Sequence, residues 1–165
     1  MTRLLGIDLG ERRIGLAIGD DAESAARPLS TLRRGRDLDD DAAALAAIVE
    51  THAIEGLVVG LPLERSGDEG PQATLTRAWG ETIAGRLDLP LTLRDERLSS
   101  HLAERRLGPM KRGRSGGPPS KTQRDAYRAR VDREAAAIFL QDELDTRATD
   151  RSSMAHPPGP QEINR

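Results

Sequence analysis

The run Leu4-Leu5-Gly6-Ile7-Asp8-Leu9-Gly10 is followed at once by Glu11-Arg12-Arg13-Ile14-Gly15-Leu16-Ala17. This pattern predicts an antiparallel hairpin whose first strand is apolar except for one carboxylate, Asp8. Taking an unpaired carboxylate out of water costs several kcal/mol or neutralises it, so Asp8 calls for a cation, a metal or a strong donor. Gly10 supplies the turn. The expected result is a carboxylate on the rim of a sheet, beside a glycine that lets a ligand approach the backbone.

The remaining pattern continues the sheet. Strands are expected at residues 4–9, 13–18 and 28–32, then a helix over 37–52 with Leu38, Ala42, Leu45, Ile48 and Val49 on one stripe. Asp37, Asp39, Asp40 and Asp41 fall in its first turns and read as cap and solvent residues. Gly56-Leu57-Val58-Val59-Gly60 is a short buried strand. Pro71 opens a second helix carrying Leu75, Ala78, Trp79, Thr82, Ile83 and Leu87 at helical spacing, with Trp79 in the core. Residues 91–95 form a fifth strand, and Leu98, Leu102 and Leu107 mark a helix ended by Gly108-Pro109. The glycine- and proline-rich stretch 110–121 reads as a mobile loop, and residues 128–144 return to helix with Val131, Ala135, Ile138 and Phe139 inward. The order β-β-β-α-β-α-β-α-α predicts an α/β fold: a mixed five-stranded sheet, three antiparallel strands and then parallel ones, flanked by helices. The folded domain is expected over residues 1–144, with a disordered tail at 145–165.

A chain of 165 residues suits one domain, and with only Trp79, Tyr127 and Phe139 as aromatics its core must be aliphatic. Cysteine is absent, so disulfides, thiolate zinc sites and cysteine nucleophiles are excluded. No stretch approaches the ~18 apolar residues of a membrane span, and a soluble, cytoplasmic protein is expected. The net charge of −2 conceals an uneven distribution. Between Arg97 and Arg130 stand ten Lys or Arg against two acids, Glu104 and Asp125. Such a surplus recruits polyanions by releasing condensed counterions.

Three carboxylates stand at element edges: Asp8, Glu96 in Asp95-Glu96-Arg97, and Asp132 in Val131-Asp132-Arg133. Converging at one sheet end, they would repel one another unless divalent cations lay between them. With neither thiolates nor a His pair at zinc spacing, the ligands are hard oxygens that suit Mg²⁺ or Mn²⁺. Two such ions ~3.5 to 4 Å apart can activate a water and stabilise the leaving oxygen in phosphodiester cleavage. Arg12, Arg13, Arg97, Lys111, Arg112, Arg114 and Lys121 are the basic residues placed to hold flanking phosphates; for Arg12 and Arg13 a rim salt bridge is the quieter account.

In combination, Gly6-Ile7-Asp8-Leu9-Gly10 with Arg13-Ile14-Gly15-Leu16-Ala17, Val59-Gly60-Leu61-Pro62-Leu63 with Gly67, Asp95-Glu96-Arg97-Leu98-Ser99, and Val131-Asp132 with Ala135-Ala136 resemble the motifs of the YqgF family, also called RuvX. The resemblance spans residues 3–144. It implies an RNase H-like fold and a metal-dependent nuclease, a hydrolase that processes the 5′ end of the 16S ribosomal RNA precursor in ribosome biogenesis. Cleavage of Holliday junctions in branched DNA is the alternative assignment. Asp8, Glu96 and Asp132 match the family's acidic positions. For the fourth carboxylate of many RNase H-like nucleases, Glu134 is displaced along the helix and Ala135 cannot serve. The implied partner is nucleic acid, bound by a monomer or homodimer.

Two other functions compete. Asp8-Leu9-Gly10 also resembles the phosphate-binding turn of actin-like and sugar-kinase phosphotransferases, which need a second related domain. A non-catalytic nucleic-acid-binding module would keep the fold and the basic surface without turnover. His101 reads as a surface or capping residue, and Asp20-Asp21 as the turn after the second strand. Tyr127 either stacks on a base or packs in the core.

Overall fold

The computed structural model describes residues 2–113 and 115–155. Strands β1 (Arg3–Leu9), β2 (Arg13–Asp20) and β3 (Ala25–Arg33) lead into α1 (Leu38–His52), β4 (Gly56–Leu61), α2 (Pro71–Leu87), β5 (Leu91–Asp95), α3 (Ser99–Leu107) and α4 (Lys121–Ala155). The strands form one sheet in the order β3-β2-β1-β4-β5. β1 to β3 pair antiparallel, and β4 and β5 add parallel to β1. This is the mixed sheet expected from the element order.

Period-two alternation divides the core. Leu5 and Ile7 of β1, Leu16 of β2 and Leu57 and Val59 of β4 face Leu45 of α1 and Trp79 and Ile83 of α2. Leu4, Ala17 and Val58 face the opposite side, where α4 supplies Ala136, Phe139, Leu140 and Leu144. Asp8 is in phase with Leu4, so alternation turns its carboxylate toward α4. A third cluster, Ala103 with Val131, Ala135 and Ile138, fastens α3 to α4. Among the described residues no helix is long and apolar enough to cross a membrane.

Several local expectations are corrected. Asp37 caps α1 by accepting from Asp40 N, and Asp39 and Asp40 pair at the surface with Arg86 and Arg36. Asp41, however, is only 1% exposed. It accepts from Arg34 Nε at 2.8 Å, Gly35 N at 2.7 Å and the Trp79 indole at 3.3 Å, so it is a buried polar joint between α1, α2 and the end of β3. Leu75 on α2 is 66% exposed, because the buried face of that helix is Ala73, Thr76, Trp79, Gly80, Ile83 and Ala84. Leu98, which precedes α3, and Leu102 on it are exposed while Ala103 is buried.

The largest correction concerns α4, which starts at Lys121 and runs to Ala155, through residues 145–155 that were expected to be disordered. Asp132 therefore sits inside a helix, well past its start. The extra turns hold because Glu143 accepts from Arg147 Nε at 2.6 Å and Arg151 reaches back to Asp21 at 2.9 Å, tying the polar end to the β2–β3 turn. The remainder of the expected tail, 156–165, lies outside the described residues.

Candidate active site

Backbone register brings the three singled-out carboxylates to one end of the sheet. Asp8 pairs with Gly15 across the hairpin. A side chain at Gly15 would overlap the backbone carbonyl of Asp132 and lie 2.7 Å from Arg133 N, so the glycine is what lets α4 rest directly on β2 at this level. Asp132 is thereby set over the residue that pairs with Asp8.

Glu96 arrives from the other side. Leu61 pairs with Asp95 at the end of β4 and β5, and Glu96 N donates to Leu61 O at 3.1 Å. Its side chain folds back over Gly60, where an added Cβ would overlap Glu96 Oε2 and stand 2.7 Å from Phe139 Cε1. Ile7 pairs with Val59, so Gly60 lies one step further along, level with Asp8. The missing side chain at Gly60 is the space that Glu96 occupies.

Burial dominates the electrostatics. Asp8 is held well above the usual carboxylate range, first by desolvation and then by the negative charges of Glu96 and Asp132. Glu96 is pushed up to about 7, again chiefly by burial, with Asp95 and Asp132 adding to the shift and its contact with Asp8 opposing it. Glu96 Oε2 is buried without a hydrogen-bond partner. Leaving such an atom unsatisfied costs ~1 to 3 kcal/mol, which a ligand would recover.

Asp132 is satisfied differently. Arg13 Nε donates to Asp132 Oδ2 at 2.8 Å. Among the described residues no group of three Asp, Glu, His or Cys side chains is arranged to hold a metal ion. The donors that are present are nevertheless of the hard-oxygen type that suits a divalent cation, and the orphaned Glu96 oxygen beside buried Asp8 is the position one would fill.

The basic candidates fall into separate places. Arg12 is exposed in the β1–β2 turn, and Arg13 takes the quieter role of a rim salt bridge, to Asp132. Arg97 is held by Asp95 at 2.6 Å and reaches Arg65 O. Lys111 and Arg112 are exposed in the irregular stretch before α4, and Lys121 is exposed at the first residue of that helix. Arg114 lies outside the described residues. Glu134 faces Arg106 at 3.1 Å. Tyr127 packs on the cluster joining α3 and α4, and its hydroxyl donates to Gly108 O at 2.9 Å. Asp20 caps the turn after β2, as expected, accepting from Ala22 N and Glu23 N.

Sequence reasoning missed Arg33 and Arg34. Arg33 pairs in register with Arg13, and Arg34 N donates to Arg12 O at 2.9 Å. Extending the hairpin register to the third strand would have found both.

Comparisons with known proteins agree with this architecture. The RuvX family model, described as "Holliday junction resolvase", matches residues 2–146. A protein of Anaeromyxobacter dehalogenans (strain 2CP-C), named "Putative pre-16S rRNA nuclease", is 44% identical over 147 residues, covering 88% of this chain and 98% of the relative. A protein of the same name from Paramagnetospirillum magneticum is 38% identical over 150 residues, covering 88% of this chain and 87% of its own. Among solved structures, Thermus thermophilus RuvC in complex with a Holliday junction substrate superposes with a TM-score of 0.52 at 14% identity, covering 90% of this chain and 97% of that one. That likeness places the sheet and helices in the RNase H-like class. With the family model spanning nearly all of the described residues and close relatives matched over almost their full length, the chain belongs to the RuvX family.

Proposed function

We propose that this chain is a nuclease that hydrolyses phosphodiester bonds with the help of a divalent cation, and that its task is processing of the 5′ end of the 16S ribosomal RNA precursor in the cytoplasm. The names of its relatives support the nuclease reading. The observation that carries it in this molecule is the buried, unpartnered Glu96 Oε2 next to buried Asp8, at a sheet end shared with Asp132. Ser30 Oγ and Thr76 Oγ1 are buried without partners too, but only Glu96 Oε2 is a carboxylate oxygen beside a second buried acid, a pairing that a cation would relieve.

Asp8 and Glu96 would hold the cation, and Asp132 would join them by turning from Arg13. Mg²⁺ or Mn²⁺ fits these oxygen donors; when bound it supplies charge that activates a water and stabilises the departing oxygen. Each carboxyl must be ionised to act as a ligand, so Asp8 and Glu96 surrender the protons that burial favours. Arg13, at the edge of the site, is placed to meet the negative charge of a phosphate once Asp132 has turned away. The basic side chains around the site hold the strand on either side of the scissile bond.

The direct test incubates the purified protein with Mg²⁺ or Mn²⁺ and labelled precursor RNA, single strands and four-way junction DNA in parallel. Cleavage of the precursor RNA at its 5′ side is the expected result. Preferential cutting of the junction would move the assignment to a resolvase, and binding without cleavage of any substrate would leave a nucleic-acid-binding module.

A further inference from the structure

Arg12 and Arg13 from the β1–β2 turn, Arg33 and Arg34 from the end of β3, and Lys121 from the start of α4 line one cleft of about 650 Å³. Three stretches far apart in sequence are joined by register and by a pin: Thr31 Oγ1 donates to Ala129 O at 2.6 Å, which holds α4 against β3. Two of the five cations are committed, Arg13 to Asp132 and Arg34 to Asp41 and Gly10 O. Arg12, Arg33 and Lys121 are exposed and form no ion pair among the described residues. Glu11 and Asp125 are the acids of the lining, so cations exceed acids by three.

Cations gathered in one concavity repel one another, and a bound polyanion relieves that repulsion while releasing its own counterions. The lining contains no aromatic side chain, so it offers no stacking surface to bases. Arg13 is both a wall of the cleft and the partner of Asp132, so the cleft borders the acidic end of the sheet through this residue.

The geometry points to this cleft as the seat of the substrate's phosphodiester backbone on its way to the acidic site, with Arg12, Arg33 and Lys121 contacting phosphates whatever the base sequence. The inference rests on the nuclease reading above and adds Arg33, together with the side of the molecule from which the strand approaches. Contacts of this type set the position of a nucleic acid and carry no sequence information.

The test titrates the full-length protein into fluorescein-labelled duplex RNAs of two unrelated sequences over a series of KCl concentrations. The variant Arg12→Ala/Arg33→Ala/Lys121→Ala is expected to weaken binding at least tenfold on both sequences and to flatten the slope of log K against log salt by ~2 to 3, since each phosphate contact is worth ~0.7 to 0.9. Arg33→Lys keeps the charge and is expected to keep the slope. Should the triple variant melt early, the single variant Arg33→Glu, on an exposed residue of the edge strand, reads the same slope. An unchanged slope, or weakening confined to one sequence, overturns the inference. If the wild type cleaves while the variant's slope is unchanged, only the cleft is lost; a wild type that neither binds nor cleaves removes the nuclease reading with it.

Discussion

Arg13 and Asp132, 119 residues apart in the chain, meet at 2.8 Å with each side chain about one-quarter exposed. The hairpin that carries Asp8 thus also carries the cation that restrains the third carboxylate. On the proposed reading, a divalent ion held by Asp8 and Glu96 would have to compete with the Arg13 guanidinium for Asp132. Arg13→Ala is expected to lower the Mg²⁺ or Mn²⁺ concentration that gives half-maximal cleavage, with a loss of folding stability of about 1 kcal/mol for this partly buried pair. Metal titrations of activity together with thermal melts measure both. A higher metal requirement would show instead that Arg13 aims Asp132 at the ion.

Removing one carboxylate at a time separates chemistry from binding. Asp8→Asn, Glu96→Gln and Asp132→Asn should each abolish cleavage while RNA affinity stays within a few-fold, because on the proposed reading the carboxylates hold metal and Arg and Lys hold the phosphates. Single-turnover cleavage and fluorescence anisotropy give the two readings. A correctly folded Asp8→Asn protein with full activity would remove the proposed site.

The buried pair also predicts how stability follows pH. A carboxyl whose folded pKa lies above its unfolded value binds more protons in the folded state, so its contribution is complete below the unfolded value and is lost as pH rises through the folded value. Glu96, raised from an ordinary 4.5 to about 7, should cost the metal-free protein on the order of 3 kcal/mol between acid and neutral pH, with Asp8 extending the decline. Thermal melts in chelator should therefore show Tm falling across this range, and Glu96→Gln should flatten the fall. At pH 8, Mn²⁺ or Mg²⁺ should raise Tm of the wild type, since binding to the folded state alone stabilises it. A flat profile in the metal-free wild type would contradict the burial of Asp8 and Glu96.

Much of this arrangement was legible in the residues. The apolar runs marked all five strands, and their order along the chain predicted antiparallel pairing of the first three and parallel pairing after them, while alternation along β1 places Leu4 and Asp8 on one face. The end of α4 was not legible: residues 145–155 carry little apolar periodicity, and their helix depends on Arg147 and Arg151 finding Glu143 and Asp21, the second of these a tertiary contact. Asp41 was misread for the same reason. Its neighbours in sequence are surface acids, while its partners Arg34 and Trp79 come from elsewhere in the fold. At the site, the three acids could be picked out by context, but the Arg13 contact to Asp132 depends on how α4 lies across β2.

Gly60 provides the sharpest test of how the site is built. A methyl group there would overlap Glu96 Oε2 and stand 2.7 Å from the ring of Phe139, which is fully buried between α4 and the sheet. Phe139 is locked in the core and cannot retreat, so the Glu96 carboxylate, whose Oε2 has no hydrogen-bond partner, is the group that must swing away. Gly60→Ala is expected to destabilise the protein by ~1 to 3 kcal/mol, as overpacking does, and to lower cleavage more than tenfold by displacing the Glu96 carboxylate. Gly85→Ala is the matched control. Gly85 lies inside α2, where an added Cβ meets nothing within 4 Å, so the substitution should leave cleavage unchanged and stabilise the fold by ~0.5 to 1 kcal/mol through helix propensity. Denaturant unfolding and single-turnover cleavage of the two variants, side by side, measure the contrast. Equal activity in both would mean that Glu96 does not need the space above Gly60, and its place in the site would fall.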